Sequence, residues 1–203
     1  MQDIETESLW SQISGTAIMG SMENSVLELI PSTVTTFAEF KITYPNGQLL
    51  KKDTKGLPNS HYESYFRDRT KLGIFGRVDN FSRLDGKVMV IGIRNEMNQI
   101  AITKKLLKKK KYQLIKDFKP PIIVTFDSET LTYGVFSLEE FESDLDNFKF
   151  ENNSIIIKDT EKTWDFKTGK NLSGGQKALI SLPYTTAYWF AWTSFFPETR
   201  LKK

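Results

Sequence analysis

Two glutamates stand at matching places near the two ends of the chain and could do acid/base chemistry as a pair. Glu7 precedes Trp10 by three residues, Glu161 precedes Trp164 by the same spacing, and each glutamate directly follows a threonine. Two carboxylates in one site can act as general acid and general base when their environments separate their pKa values. The competing interpretation, which we favour, is that each Thr-Glu pair makes turn or cap hydrogen bonds.

His61 is the only histidine, and the chain has no cysteine. A single histidine could still serve as a general base. A His-based metal cluster is excluded, and so are disulfides, thiolate metal sites and a cysteine nucleophile. Because the residues around His61 are polar, we favour a surface position for it, and we predict no metal site and no cofactor.

The run Leu172-Ser173-Gly174-Gly175-Gln176 spells the signature loop of ABC-type ATPases, in which backbone N–H groups and a helix N-terminus meet a nucleotide phosphate. That chemistry also needs a glycine-rich loop that ends in Gly-Lys-Ser/Thr, and residues 169–171 lack both the earlier glycine and the hydroxyl. Pro183 would interrupt the helix expected after the signature. We therefore favour a structural turn over ATP binding.

The segments that carry these residues are two versions of one stretch. A single two-residue gap between Gly174 and Leu179 aligns them, and chance rarely matches Trp, Gly and Pro at equal spacing, so we predict an internal duplication. The first copy has Thr6, Glu7, Trp10, Gly15, Gly20, Leu27, Pro31, Thr33, Phe37, Phe40, Tyr44 and Pro45, and the second has Thr160, Glu161, Trp164, Gly169, Gly174, Leu179, Pro183, Thr185, Trp189, Trp192, Phe196 and Pro197.

Each copy predicts one aromatic helix of about three turns. Its three aromatic residues are spaced i, i+3 and i+7, which places them on one helical face, and a proline lies before and after each predicted helix. An aromatic stripe at this spacing usually builds a core rather than a ligand pocket. The stripes are Phe37, Phe40 and Tyr44 in the first copy and Trp189, Trp192 and Phe196 in the second.

Between the copies, short β-branched runs alternate with turn residues and predict two hairpins. We assign residues 1–50 to a partial first repeat, 51–82 to a connecting region and 83–203 to a complete second repeat, all in one compact α+β domain with a mixed, largely antiparallel sheet. The predicted elements are strands at 88–93 and 99–102, an amphipathic helix at 103–118, strands at 122–126 and 131–136, a helix-like segment at 137–145 and a strand at 154–158.

The composition, with 39% hydrophobic and 26% charged residues, is typical of a soluble globular protein. No apolar run approaches the roughly 20 residues that span a bilayer, and residues 1–8 lack the apolar core of a signal peptide, so the compartment stays open. Six lysines between residues 104 and 111 could bind phosphates, but no aromatic residue or arginine is interleaved to read bases. We favour a solvated helix face and expect no nucleic-acid partner.

The sequence resembles the uncharacterised domain-of-unknown-function family three-one-seven-nine along nearly its whole length. Members carry a further segment ahead of the first Trp block, often with a Cys-Pro-x-Cys motif that residues 1–203 do not contain, so the resemblance implies a fold and no established activity. The matching segments are residues 5–12 with Gly15 and Gly20, Tyr62 and Tyr65 ahead of Arg83, residues 90–93 and 124–127, Asp159-Thr160 with Trp164, Gly169 and Gly174, and residues 190–197.

These patterns favour a non-catalytic domain that binds a ligand or partner where the two repeats meet. The alternative is a hydrolase-like or transferase-like enzyme that uses carboxylates or the histidine at that interface. The candidate ligand-binding residues are Glu7, Trp10, His61, Glu161 and Trp164. Because the first repeat is only partial, we also expect it to leave a sheet edge or apolar face uncovered, to be completed by a homodimer or by a missing upstream segment.

Overall fold

The computed structural model of the chain describes residues 1–51, 60–73, 83–158, 160–175 and 177–203. Short helices and mainly antiparallel strands confirm the predicted α+β class. The strands are β1 (Leu9–Trp10), β2 (Ala17–Met19), β3 (Met89–Arg94), β4 (Gln99–Thr103), β5 (Tyr112–Ile115), β6 (Ile122–Asp127), β7 (Thr132–Ser137), β8 (Phe148–Glu151), β9 (Ser154–Ile157), β10 (Thr163–Asp165), β11 (Thr185–Tyr188) and β12 (Arg200–Lys202). The helices are α1 (Phe37–Thr43), α2 (Ser60–Arg67), α3 (Lys104–Lys110) and α4 (Trp189–Phe195), with a 3₁₀ segment at Glu139–Asp144.

A four-stranded sheet in the order β11-β3-β4-β12 lies at the centre of the described structure. Strands β3 and β4 form the first predicted hairpin, and the Asn95 side chain accepts hydrogen bonds from the N–H groups of Met97 and Asn98 in its turn. Strand β12 pairs parallel to β4, and the other pairs are antiparallel. Since both faces of β3 are covered, its sequence is a continuous apolar run rather than an alternating one.

The second predicted hairpin, β6–β7, divides the core into two layers. Its strands pair in the three-stranded sheet β5-β6-β7. Successive side chains of a strand point to opposite faces. Val124 and Phe126 therefore pack with Ile91 and Ile102 of the central sheet, whereas Ile123 packs in a second cluster with Trp164.

The lysine-rich segment differs from its prediction, because the helix expected over residues 103–118 ends at Lys110. Thr103 caps its start by accepting a hydrogen bond from Leu106, and Lys111 stops it in the left-handed region with a φ of 64°. The chain then forms β5, whose Tyr112 and Leu114 pair with β6. Residues 112–115 form a strand because they pair with β6. The local sequence pattern, which is helical, contains no sign of this pairing.

The two aromatic helices are present, and each spans seven residues, about two turns rather than three. The residue before each helix has nearly the same backbone angles, φ −75° and ψ 153° at Thr36 and φ −70° and ψ 147° at Tyr188. Helix α4 packs on β3 and β11. Residues of helix α1 instead line a cleft together with residues of β7. Across the described ranges, the helices are all too short or too polar to cross a bilayer.

Candidate functional site

After Trp10 and again after Trp164 the chain folds into a turn, and matching hydrogen bonds close the two turns. The N–H of Leu27 donates to the carbonyl of Gly15 at 2.9 Å, and the N–H of Leu179 donates to the carbonyl of Gly169 at 2.9 Å. Both glycines have a φ of 67°, a conformation that strains residues with a side chain. Gly20 and Gly174 also have positive φ, at 105° and 77°. The four predicted glycine positions lie in these turns, and the aromatic positions Phe37, Phe40, Trp189 and Trp192 lie in the helices α1 and α4.

The structure does not bring Glu7 and Glu161 into a common cavity. Both are exposed, and their neighbouring threonines make local bonds of the same kind. Thr6 Oγ1 accepts from the N–H of Ser8 at 3.3 Å, and Thr160 Oγ1 accepts from the N–H two residues further on at 3.2 Å. Both are local hydrogen bonds between residues two apart, which is what the turn interpretation expects of the two threonines.

The two candidate tryptophans lie in different environments. Trp164 is fully buried, packs edge-on against Phe141 and donates its indole N–H to the carbonyl of Lys177 at 3.0 Å. Trp10 is half-buried, donates its indole N–H to Asp3 Oδ2 at 2.7 Å, and lines an open groove with Met22. Trp164 is therefore a core residue, and Trp10 remains accessible.

His61 belongs to helix α2. Its side chain is outside the part of the chain that the structure describes. Gly174 and Gly175 of the ABC-like signature lie in an exposed turn, whereas Gln176 is outside the described residues. Residues 177–184 form no helix. The helix N-terminus that would hold a phosphate after this signature is thus absent from the described residues that follow it.

A cleft of about 310 Å³ lies between the first repeat segment and the second. Residues 31–44, which include the whole of α1, form one wall. Strand β7 and residues 167–168 and 181–184 form the other walls. The Glu39 carboxylate and the Lys167 ammonium form an ion pair across the cleft, with exposed side-chain fractions of 10% and 22%. The hydroxyl of Thr43 donates a further hydrogen bond to Glu39 Oε1 at 3.1 Å.

Hydroxyl groups and aromatic rings supply most of the remaining chemistry of the cleft. The hydroxyls of Thr35 and Thr132 lie 2.7 Å apart, and the Tyr184 hydroxyl accepts a hydrogen bond from the N–H of Val34 at 3.0 Å. Burial raises the pKa of Tyr133 to about 12, and it raises the pKa of Tyr184 as well. Both phenols therefore stay protonated at neutral pH.

Sequence reasoning missed Glu39 and Lys167, although the repeat alignment contains a signal for both. Glu39 stands where the second copy has Ala191, and Lys167 stands where the first copy has Ile13. A charged residue that stands where the matching segment has an apolar one is a signal for a role that the matching segment does not share. Among the described residues, no group of three or more His, Asp or Glu is placed to hold a metal ion.

The geometry therefore defines the class of protein. It is an α+β fold with a cleft between two similar segments, each of which is a turn followed by a helix. The sequence pattern of the family described as "Protein of unknown function (DUF3179)" matches residues 1–199, so the chain belongs to that family. No curated protein and no solved structure matches the chain.

Proposed function

We propose that the chain is a non-catalytic binding domain whose ligand occupies the cleft between residues 31–44 and strand β7. The observation that carries this proposal is the Glu39–Lys167 ion pair, which joins the two repeat segments inside a cavity of about 310 Å³. That volume is at the lower end of the roughly 300–1,000 Å³ of small-molecule sites. The ligand is therefore a small organic molecule rather than a polymer.

The charge balance and the lining indicate the chemical class of the ligand. Among the described residues that line the cleft, the charged ones are Glu39 and Lys167, and they neutralise each other. Phe40 and Tyr44 present adjacent rings whose centroids are 5.8 Å apart. Rings bind flat apolar groups, and nearby hydroxyls fix their orientation through hydrogen bonds. We infer a neutral or zwitterionic ligand that contains a ring and hydroxyl or amide groups.

The enzymatic alternative has a weaker basis in the cleft. Its predicted carboxylates Glu7 and Glu161 are not among the described residues that line the cavity. Glu39 is a carboxylate in the right place, but its oxygen is already engaged by Lys167 and by the hydroxyl of Thr43. A group held in this way positions neighbouring elements more readily than it transfers protons.

We also infer that the two segments are copies of one unit, with residues 1–50 a partial copy and 83–203 a complete one. What supports this inference is the recurrence of the turn bonds around Gly15 and Gly169 and of the cap geometry before α1 and α4. A cleft between duplicated halves is a common location for a ligand site.

The test is a nuclear magnetic resonance screen of neutral fragments that join one ring to a hydroxyl or amide group. We expect a subset to shift the backbone amide signals of Thr43, Thr132 and Thr168. Ser181→Trp places an indole in the cleft and should abolish the shifts, whereas Ser21→Trp, an exposed serine outside the cleft, should leave them unchanged. Absence of any shift at millimolar fragment, or shifts that persist in Ser181→Trp, would reject the cleft as the site.

A further inference from the structure

Threonine hydroxyls in one wall of the cleft form a hydrogen-bonded chain that ends on a carboxylate. The Thr35 hydroxyl lies 2.7 Å from that of Thr132, which in turn lies 2.8 Å from that of Thr130. The Thr130 hydroxyl donates to Asp127 Oδ2 at 2.8 Å. Distances of this size are typical of O–H···O hydrogen bonds. The chain therefore runs from the cleft, which Thr35 and Thr132 line, to the end of β6.

The carboxylate of Asp127 fixes the direction of every hydrogen bond in this chain. An ionised carboxylate only accepts, and each hydroxyl has a single proton. Because Thr130 gives its proton to Asp127, Thr132 must be the donor between the two neighbouring threonines. By the same reasoning, Thr35 must donate to Thr132. The Thr35 oxygen then has no proton left for a ligand and can only accept from one.

Two further threonines of the lining have their protons engaged in the same way. Thr43 donates to Glu39 Oε1 at 3.1 Å, and Thr168 donates to Asp165 Oδ1 at 2.7 Å. A free threonine hydroxyl can either donate or accept. Since Thr35, Thr43 and Thr168 all line the cleft, a ligand there meets hydroxyl oxygens that are left to accept hydrogen bonds.

The hydroxyl of Tyr184 has the opposite character. It accepts from the N–H of Val34 at 3.0 Å, and no acceptor among the described residues takes its proton. Burial raises the pKa of Tyr184, so the hydroxyl keeps that proton at neutral pH and can donate it to a ligand. Val34 directly precedes Thr35 in the chain, so this donor is held beside the residue that carries the first acceptor.

On the basis of the binding function proposed above, we propose that the ligand binds through a primary carboxamide group. Its N–H groups donate to the threonine oxygens, and its carbonyl accepts from the Tyr184 hydroxyl. A carboxamide has two N–H donors and one carbonyl acceptor on one small planar group. Ketones, esters and tertiary amides have the carbonyl without a donor. They displace water from the threonine oxygens and leave them unpaired, which costs free energy.

Two other kinds of donor fit the cleft less well. An ammonium or guanidinium ligand would share the cleft with the Lys167 ammonium, and the single charge of Glu39 is already paired with that group. Like charges repel at such a distance. An alcohol has one proton and serves one threonine oxygen, whereas a carboxamide serves two.

The test compares benzamide with acetophenone, in which a methyl group replaces the NH₂ group and the ring and carbonyl are unchanged. Each compound is titrated into the whole chain, and binding is followed by the backbone amide signals of Thr43, Thr132 and Thr168. We expect benzamide to bind at least about tenfold more tightly, because acetophenone leaves the threonine acceptors unpaired.

Thr130→Val tests whether the direction of the hydroxyl chain causes this preference. The variant cuts the chain from Asp127, so the Thr132 proton can turn to Thr35 and the Thr35 proton can turn towards the cleft. The preference for benzamide should then shrink to less than about threefold. Ser128→Ala, at an exposed position of the same turn, should leave the preference unchanged.

The possible results separate this inference from the proposed binding function. Equal binding of both compounds in the cleft overturns the carboxamide and leaves the binding function in place. A preference that Thr130→Val does not reduce shows that the hydroxyl chain does not set it, which also overturns the inference. Other fragments that bind while benzamide does not have the same meaning. Absence of any shift with every fragment rejects the binding function and the carboxamide together.

Discussion

The indole ring of Trp192 lies directly on the backbone of Gly92, and no Cβ fits between them. Helix α4 approaches β3 closely because this strand position has no side chain. The indole N–H of Trp192 then reaches the buried hydroxyl of Thr199, to which it donates at 3.0 Å. A bulky ring that packs without a void and keeps its polar atom paired favours a single position for the helix.

Gly92→Val should destabilise the protein by about 3 kcal/mol, since overpacking a filled core forces the ring or the strand to move. The free energy of unfolding in urea measures this effect. Gly175→Ala is the matched control, because nothing lies within 4 Å of a Cβ at that position. Its cost should be limited to the strain of a positive φ, about 1 kcal/mol. Equal costs for the two variants would show that Trp192 does not depend on the close approach.

Glu39→Gln should destabilise the protein by about 2 kcal/mol, because it leaves the Lys167 ammonium partly buried without its counter-charge. The double variant Glu39→Leu/Lys167→Met should recover most of that loss, since replacing both partners by apolar groups is often close to neutral. Chemical denaturation of the three proteins measures both effects.

The exposed pair of Lys116 and Asp146 provides the control for this comparison. Solvent screens such a pair, so Asp146→Asn should leave the unfolding midpoint unchanged. If Glu39→Gln also had no effect, the pair in the cleft would not join the two segments.

The sequence predicts the hairpins and the aromatic helices well because their signals are local. β-branched runs between turn residues identify β3–β4 and β6–β7, and proline spacing identifies α1 and α4. Strand β5 was predicted as helix, since its pairing with β6 depends on residues that the local pattern does not include. The charged residues of the cleft were missed for the same reason: Glu39 and Lys167 are 128 residues apart, and only the folded chain brings them together.

Tyr133 should make the protein sensitive to alkali. Burial raises its pKa from 10.0 to about 12, so between these values the unfolded chain loses the phenolic proton while the folded chain keeps it. Stability is therefore complete below about pH 10 and falls as the pH rises towards 12. Tyr133→Phe should flatten this fall, as followed by thermal unfolding at several pH values. The raised pKa of Tyr184 acts in the same direction, so some dependence should remain in the variant. An unchanged slope would show that Tyr133 does not cause it.

Asp3 should make the N-terminal turn sensitive to acid. The hydroxyl of Thr6 and the indole N–H of Trp10 donate to its carboxylate and lower its pKa from 3.8 to about 2. A lowered pKa means that the folded turn favours the ionised carboxylate, so the stabilising effect of the carboxylate is complete above about pH 4 and is lost as the pH falls through 2.

The indole N–H resonance of Trp10 reports its hydrogen bond to Asp3 directly. It should move towards the value of free tryptophan in that acid range, whereas the indole resonance of Trp164, bonded to a backbone carbonyl, should not move until the whole chain unfolds. Asp3→Asn should give a Trp10 resonance that does not titrate in this range. A Trp10 signal that titrates identically in the variant would show that another group controls the turn.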